Sequence, residues 1–230
     1  MTKRSVVVAS LAAALAAPGP SASAMQQDVS IGARLGTLGI GAEVNVSLHE
    51  HVAMRGGIGF LGFDVDLTGM FGLAANRTAE LSLPTALYTI GAEASSGPFR
   101  AGAGLLIRSS DPTHEITYGS GATIDIGGGF YQEPEVRTVT TTLVSGSTAP
   151  YVLIGITSRR ERGLEVLVDL GSVLHINPQF DMAATGDPAV LNSSRFHTDL
   201  NVERRLAEED AGSFVRFWPI LSLGVRYGLR

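Results

Sequence analysis

Apolar and polar residues alternate along the stretch from Ile40 to Phe63, and the rest of the chain repeats this pattern. The even positions of the first arm are apolar, and after a short turn at 49–51 most even positions of the second arm are apolar again. A period of two predicts a β-strand, so the two arms predict a hairpin. The opposite face is rich in glycine with isolated charges. This suits the interior of a narrow closed barrel and predicts a membrane barrel, with apolar residues outside.

The same alternation predicts further strands along the chain. They cover Val29 to Gly36, Thr85 to Ala94, Phe99 to Arg108, Pro150 to Thr157, Leu164 to Gly171 and about Val215 to Leu229. The phase of the alternation slips within 36–39, which indicates either a tight turn between two strands or a bulge in one long strand. We favour the turn, which brings the total to an even number of eight strands.

The connections between the predicted strands differ in length in a regular way. Short turns at 49–51, 95–98 and 159–163 alternate with long connections at 64–80, 110–148 and 177–213. Short connections at one end and long ones at the other predict an up-and-down antiparallel barrel. In outer-membrane barrels the short turns face the periplasm and the long loops face outward.

Two of the long connections contain predicted structure of their own. In the second, Ala122 to Ile126 and Val136 to Val144 flank a triple glycine and could pair as a hairpin outside the membrane. In the last, Asp187-Pro188 can cap a helix and Arg195 to Asp210 is rich in helix formers. The fold class predicted is therefore all-β, with about eight transmembrane strands and a short helix in the last long loop.

Composition and the first residues are compatible with an exported β protein. Lys3 and Arg4 precede a short apolar run and an Ala-x-Ala end, which predicts a signal peptide over 1–24, export through the general secretory pathway and a barrel domain over 25–230. The 28 glycines are too many for a helical protein. The net charge of −5 falls to −7 without Lys3 and Arg4, which excludes a basic field for nucleic acid. There is no cysteine for disulfides or metal.

At this point the chain resembles the small outer-membrane β-barrel proteins of Gram-negative bacteria. The matching segments are Arg34-Leu35-Gly36-Thr37-Leu38-Gly39, Ala149-Pro150-Tyr151 and Phe217-Trp218-Pro219-Ile220-Leu221-Ser222-Leu223-Gly224. The resemblance implies location in the cell outer membrane, contact with its lipid, and insertion with the help of periplasmic chaperones and the barrel assembly machinery. It brings no activity with it. The chain departs from the group by ending in Leu229-Arg230 rather than in an aromatic residue.

Charged residues at inward positions form the candidate site. They are Arg34, Glu43, Arg55, Glu93, Arg100, Arg108, Glu165, Asp169 and Arg226. Because an eight-stranded lumen is filled by side chains, we expect guanidinium and carboxylate groups to pair and fill it. Glu43 and Arg55 are expected to face each other across the first hairpin. The alternatives are a narrow pore and a catalytic carboxylate.

Other candidate residues are interpreted as structural. His49 and His51 could ligate a metal, but they lack a third ligand nearby and are expected on a solvated turn. His114, His175 and His197 have serines near in sequence without a catalytic spacing, and the triple glycine fails as a phosphate loop. We therefore expect no cofactor, no metal and no catalysis, and a monomeric barrel with a structural, adhesive or minor transport role. The alternatives are a soluble periplasmic ligand-binding barrel and a lipid-modifying barrel enzyme.

Overall fold

A computed structural model describes residues 28–61, 64–66, 68, 76–144, 146–159, 163–174 and 179–229. The predicted signal peptide over 1–24 and His175 lie outside the described residues.

The described part of the chain forms fifteen strands and two helices. They are β1 (Val29–Gly36), β2 (Gly39–His49), β3 (Val52–Phe60), β4 (Asp64–Asp66), β5 (Arg77–Ser82), β6 (Ala86–Ser96), β7 (Phe99–Arg108), β8 (Thr113–Tyr118), β9 (Thr123–Ile126), β10 (Gly129–Gln132), β11 (Val136–Leu143), β12 (Thr148–Arg159), β13 (Leu164–Leu174), β14 (Phe180–Gly186), α1 (Pro188–Leu191), α2 (Ser194–Arg216) and β15 (Phe217–Leu229).

Eight of the strands close into an antiparallel barrel in the order β1-β15-β13-β12-β7-β6-β3-β2. The predicted fold class is therefore confirmed. The first hairpin is formed by β2 and β3, and a tight turn at 37–38 brings Gly36 opposite Gly39, so the phase slip marks a turn and not a bulge. Gly39 has a φ of 87°, a backbone conformation that glycine adopts without steric cost.

Two predictions for the long connections need correction. The segment 64–80, predicted as a loop, contains β4 and the start of β5, which pair with each other. The expected pairing of Ala122–Ile126 with Val136–Val144 is wrong, because β9 pairs with β10 instead. The positive φ angles of Gly127 and Gly128 allow a tight turn at this point, so the chain reverses at once.

The extra strands lengthen one side of the barrel wall. Strands β4, β5, β8, β11 and β14 form a five-stranded sheet whose order follows that of the barrel strands β3, β6, β7, β12 and β13, to which they are adjacent in sequence. The other three barrel strands, β1, β2 and β15, have no such continuation. The wall is therefore higher on the side of these five barrel strands. It is lower on the side of β1, β2 and β15, which includes the turn 37–38. We call the five-stranded sheet, the β9–β10 hairpin and both helices the cap.

The two ends of the barrel differ accordingly. The turn end carries the turn at 50–51, the turn at 97–98 and the connection between β12 and β13. The loop end carries the cap and the turn 37–38. This arrangement matches the predicted alternation of short and long connections.

The cap has a hydrophobic core of its own. Its buried members come from the sheet, the hairpin and α2, and are Tyr118, Ala122, Ile124, Ile126, Tyr131, Val136, Val139 and Phe196. Asp187 accepts a hydrogen bond from the amide of Ala189, which caps α1 as predicted, and α2 extends over 23 residues. Among the described residues, neither helix is long and apolar enough to cross a membrane.

Candidate functional site: the interior of the barrel

The two faces of the barrel wall differ in polarity. Outward positions carry large exposed apolar residues such as Val44, Ile154 and Leu223, whereas inward positions carry glycine, charged groups and some large apolar side chains. The face assignment made from the alternation is therefore confirmed. The charged side chains are withdrawn from the outer face and collected in the lumen.

Seven of the nine predicted charges come together in the lumen, and we call this group the ion layer. Its members are Arg34, Glu43, Arg55, Glu93, Arg100, Asp169 and Arg226. Each comes from a different barrel strand, and the eighth strand, β12, presents Gly155. A Cβ atom on Gly155 would lie 2.8 Å from Nε of Arg100, so only glycine leaves room for the layer here.

Each carboxylate of the ion layer contacts three guanidinium groups. Glu43 Oε2 lies 2.7 Å from Arg34 Nε and 3.2 Å from Arg55 Nε, and its Oε1 lies 3.1 Å from Arg226 Nη2. Glu93 lies 3.7 Å from Arg55 Nη1, 3.3 Å from Arg100 Nη1 and 3.3 Å from Arg226 Nη1.

Asp169 completes the pattern. It contacts Arg34 and Arg100 closely, lies 3.8 Å from Arg55 Nη2 and accepts a hydrogen bond from Ser222 Oγ at 3.4 Å. Arg55 is thus the one guanidinium in the layer that contacts all three carboxylates. Glu43 and Arg55 are not register partners, because Glu43 lies opposite Gly57 and Arg55 opposite Asn45, but their side chains meet diagonally.

Burial makes this layer expensive to disrupt. All seven residues are buried or nearly so, with the side chain of Asp169 only 1% exposed. Charges removed from water lose several kcal/mol of solvation each unless they are paired, so removing one partner leaves an uncompensated buried charge and costs about 3–5 kcal/mol. The layer therefore holds as a unit.

The other two predicted charges lie outside this group of contacts. Arg108 is at the loop end of β7, where it contacts Asp111 at 2.8 Å and donates to the carbonyl of Gly146. Arg108 therefore binds the connection between β11 and β12 to the loop end of the barrel. Glu165 is at the turn end of β13, in register with Arg226. It is half-buried and has a partner of its own.

Large apolar side chains form a second layer in the lumen that was not predicted. They lie at the loop end of the barrel strands, and we call them the apolar layer: Leu61, Leu87, Leu106, Ala149, Tyr151, Leu153, Val173 and Ile220. The alternation already placed Leu87 and Leu153 on inward positions. The alternation of apolar and polar residues is weak around them, because their outward neighbours are equally apolar.

The other candidate residues are dispersed. His49 and His51 lie on the exposed turn at the turn end, where His51 contacts Glu50 at 3.0 Å. Histidine and serine are joined only through backbone groups among the described residues, as in His197 with Ser193, and no side-chain hydrogen bond there links the two types. The described residues contain no cluster of histidine, aspartate and glutamate suited to a metal. Burial lowers the pKa of His114, which lies on β8 in the cap.

The comparisons with known proteins concern the fold. No known protein family and no curated protein matches the sequence. Among solved structures, Acinetobacter baumannii CarO2 is similar over 89% of this chain and 100% of its own, with 19% identity and a TM-score of 0.58. Acinetobacter baumannii CarO is similar over 87% of this chain and 97% of its own, with 15% identity and a TM-score of 0.55. At these identities the comparisons show a shared barrel fold with the two Acinetobacter proteins.

Proposed function

We propose that the chain is an integral outer-membrane β-barrel with a closed lumen and a structural, adhesive or minor transport role. The observation that carries the proposal is the outer surface of the barrel, where no described outward strand position is charged. Exposed apolar residues surround the barrel on all sides, including Ile31, Ile90, Ile154 and Leu221. Apolar patches larger than a few hundred Å² indicate an interface, and a belt that surrounds a barrel fits lipid.

Aromatic side chains border this belt at both ends. Phe99 and Tyr227 face outward near the turn end, and Phe60, Tyr88 and Phe217 face outward near the loop end. Along β15, about ten residues separate Phe217 from Tyr227, which corresponds to about 34 Å of strand. Because the strands of such barrels are tilted by about 40°, this length spans about 25 Å along the barrel axis. This height matches the apolar band of outer-membrane barrels, with aromatic girdles at its borders.

Beyond the loop-end girdle the outward surface becomes polar. The face of the cap sheet that continues the outer wall carries hydroxyl and carboxylate groups, including exposed Thr78, Glu80, Glu115 and Thr117. Such groups belong in water or among lipid headgroups. The change from apolar to polar at one level supports a membrane boundary there.

Two features support the proposed role over that of an open porin. The ion layer and the apolar layer both occupy the lumen, and an eight-stranded barrel has room for little more than side chains. The cap has its own core, so the barrel presents a folded unit beyond the lipid. We infer an anchored cap with at most minor transport through the barrel.

Fractionation tests the proposal. The expressed protein should sediment with the outer membrane, and on electrophoresis the unheated sample should migrate differently from the boiled one. Recovery in the soluble periplasmic fraction would reject the membrane placement and favour a ligand-binding barrel. Thr78→Arg on the outward face of the cap is the matched control for Val166→Arg in the belt, and only the second should reduce the sedimenting, heat-modifiable form.

A further inference from the structure

The apolar layer does not cover the lumen evenly. Seven of its eight members come from β6, β7, β12, β13 and β15, and only Leu61 follows β3. Outside the ion layer, several inward positions of β1, β2 and β3 carry glycine instead. We call them the glycine wall: Gly32, Gly36, Gly41, Gly57 and Gly59. Large side chains on one side and glycine on the other leave space along the glycine wall.

A cavity of about 40 Å³ occupies this space. It reaches from Leu38 and Gly39, at the turn on the low side of the barrel wall, to Arg34, Glu43 and Arg55 in the ion layer. A cavity needs roughly 10–15 Å³ measured in this way to hold one water molecule, so this one has room for about three. The cap sheet does not continue β1 and β2, and the cavity lies beside these two strands and β3.

Arg55 lies at the inner end of the cavity with unused donors. The residue is only 4% exposed, and its Nε and Nη1 atoms have no hydrogen-bond acceptor. Its contacts with three carboxylates, at 3.2–3.8 Å, are ion pairs without hydrogen bonds. Arg100, in contrast, donates hydrogen bonds to Glu93 and Asp169 and does not line the cavity. Displacement of Arg55 therefore breaks ion pairs but no hydrogen bond among the described residues.

We propose that this cavity is the entrance of a path for water and small inorganic ions, closed at its inner end by Arg55. The entrance admits solvent from the loop end along the glycine wall, and Thr89 and Ser222 add hydroxyl groups to its lining. Displacement of Arg55 would join the entrance to the turn-end half of the lumen. The inference deepens the minor transport role proposed above and rests on it for its biological meaning.

Single cysteines test the entrance, because the natural sequence contains none. Thr89→Cys lies on the cavity, whereas Leu106→Cys lies in the apolar layer, where the native side chain is 3% exposed. In detergent micelles, a small charged methanethiosulfonate should modify Thr89→Cys at least about tenfold faster than Leu106→Cys. Thr117→Cys on the exposed cap face gives the reference rate. Rates for Thr89→Cys as slow as those for Leu106→Cys would overturn the entrance.

A second cysteine tests the gate. Asn45 is buried, does not line the cavity and lies two residues nearer the turn end than Glu43. Asn45→Cys should react slowly, and added Arg55→Ala should raise its rate at least about tenfold. Added Arg108→Ala, at the rim and outside the ion layer, should not. No acceleration with Arg55→Ala, or equal acceleration with both, would overturn the gate. Arg55→Gln replaces Arg55→Ala where the alanine variant loses its heat-dependent migration.

The direction of entry has its own control. Leu38→Trp should slow the reaction of Asn45→Cys in the Arg55→Ala background, because the reagent passes the rim at Leu38. An unchanged rate would mean that the reagent arrives from the turn end, which contradicts the path. The labelling rates are measured in micelles and do not depend on where the protein is found in the cell. Recovery of the protein in the soluble periplasmic fraction would therefore reject the membrane placement without changing these rates. Slow labelling of Thr89→Cys would reject the entrance and leave the membrane placement intact.

Discussion

The hydroxyl of Thr37 donates a hydrogen bond to the carbonyl of Pro219 at 2.8 Å and accepts one from the amide of Leu221 at 3.0 Å. The three residues belong to the two motifs, near the start and near the end of the chain, that carry the family resemblance. They meet where β1 pairs with β15 and closes the barrel. The hydroxyl of Thr37 therefore bridges two backbone groups of β15 just beyond the last register pair of the two strands, Gly36 with Ser222.

Thr37→Val should therefore weaken barrel closure. The substitution keeps the shape of the side chain and removes both hydrogen bonds, which should lower the free energy of unfolding by about 1–2 kcal/mol. The measurement is the urea midpoint of the protein in micelles. Thr157→Val is the matched control, since the Thr157 hydroxyl contacts the Val166 carbonyl at only 3.4 Å. Equal losses in both variants would show that Thr37 has no special role in closure.

The glycine wall predicts a contrast between two glycines of the first hairpin. A Cβ atom at Gly41 would lie 2.9 Å from Cα of Gly59 and closer still to the carbonyl oxygen of Ile58, whereas one at Gly56 would have no atom nearer than 3.9 Å. Gly41→Ala should cost about 1–3 kcal/mol or prevent folding, as overpacking does. Gly56→Ala should stay within about 0.5 kcal/mol of the wild type. Urea midpoints in micelles compare them, and equal midpoints would contradict the close approach of β2 and β3.

The period of two was enough to predict the barrel because successive residues of a barrel strand face alternately outward and into the lumen. It placed Val44 outside and Glu43 inside without knowledge of any neighbour. It could not give the depth of a side chain along the barrel axis, which depends on the stagger between strands. The meeting of Leu87 on β6 and Ile220 on β15 in one apolar layer was therefore not predictable.

The sheet and the strand pairing of the cap escaped prediction for a different reason, although its helix was predicted. Its sheet is polar on one face and partly polar on the other, as in β11, where Val139 is surrounded by threonines, so the alternation there is weak. The pairing of β9 with β10 depends on the turn at Gly127 and Gly128, and three consecutive glycines permit several turn geometries. The partners of these strands are set by the cap core, which forms only in three dimensions.

The face assignment predicts different effects for outward and inward arginines. Val44→Arg would place a guanidinium against lipid near the middle of the bilayer and should cost about 2–4 kcal/mol. Val166→Arg should cost less, because Val166 lies opposite Val225, two residues from Tyr227 at the turn-end border of the belt. Asn45→Arg, from the neighbouring inward position, would add volume and charge to the lumen without entering lipid. The yield of heat-modifiable protein after refolding into lipid vesicles measures the difference. Val44→Leu is the apolar control at the same position. An equal loss of heat-modifiable protein in Val44→Arg and Val44→Leu would mean that this position does not face lipid.

The contact between Tyr131 and Asp199 predicts an alkaline instability of the cap. The Tyr131 hydroxyl donates to Asp199 Oδ2 at 2.7 Å, and burial together with this hydrogen bond raises the pKa of Tyr131 to about 12. The ordinary tyrosine pKa is about 10, so the folded cap holds this proton more tightly than the unfolded chain does. The stabilisation is complete below about pH 10 and is lost as the pH rises toward about 12.

Tyr131→Phe should remove this dependence. It should lower cap stability near pH 8 by about 1 kcal/mol, the value of one hydrogen bond, and flatten the fall in stability between about pH 10 and about pH 12. Proteolysis of the cap at increasing urea concentration follows its unfolding, and the phenolate absorbance follows the titration. Tyr88→Phe, on the outer wall of the barrel, is the control. An alkaline fall that persists unchanged in Tyr131→Phe would assign it to another group.

Conductance distinguishes a closed barrel from a channel. The ion layer and the apolar layer occupy the lumen of the eight-stranded barrel. The wild type in planar bilayers should therefore show at most small and rare openings. Glu43→Ala combined with Arg55→Ala should raise the frequency of openings. The double substitution removes side-chain volume from the ion layer, and it removes Arg55, the guanidinium of the layer that contacts all three carboxylates. Removing one charge of each sign leaves the net charge of the layer unchanged, which limits the loss of stability. Arg108→Ala, at the rim and outside the layer, should leave the opening frequency unchanged. A large and steady wild-type conductance would reject the closed lumen and favour a pore.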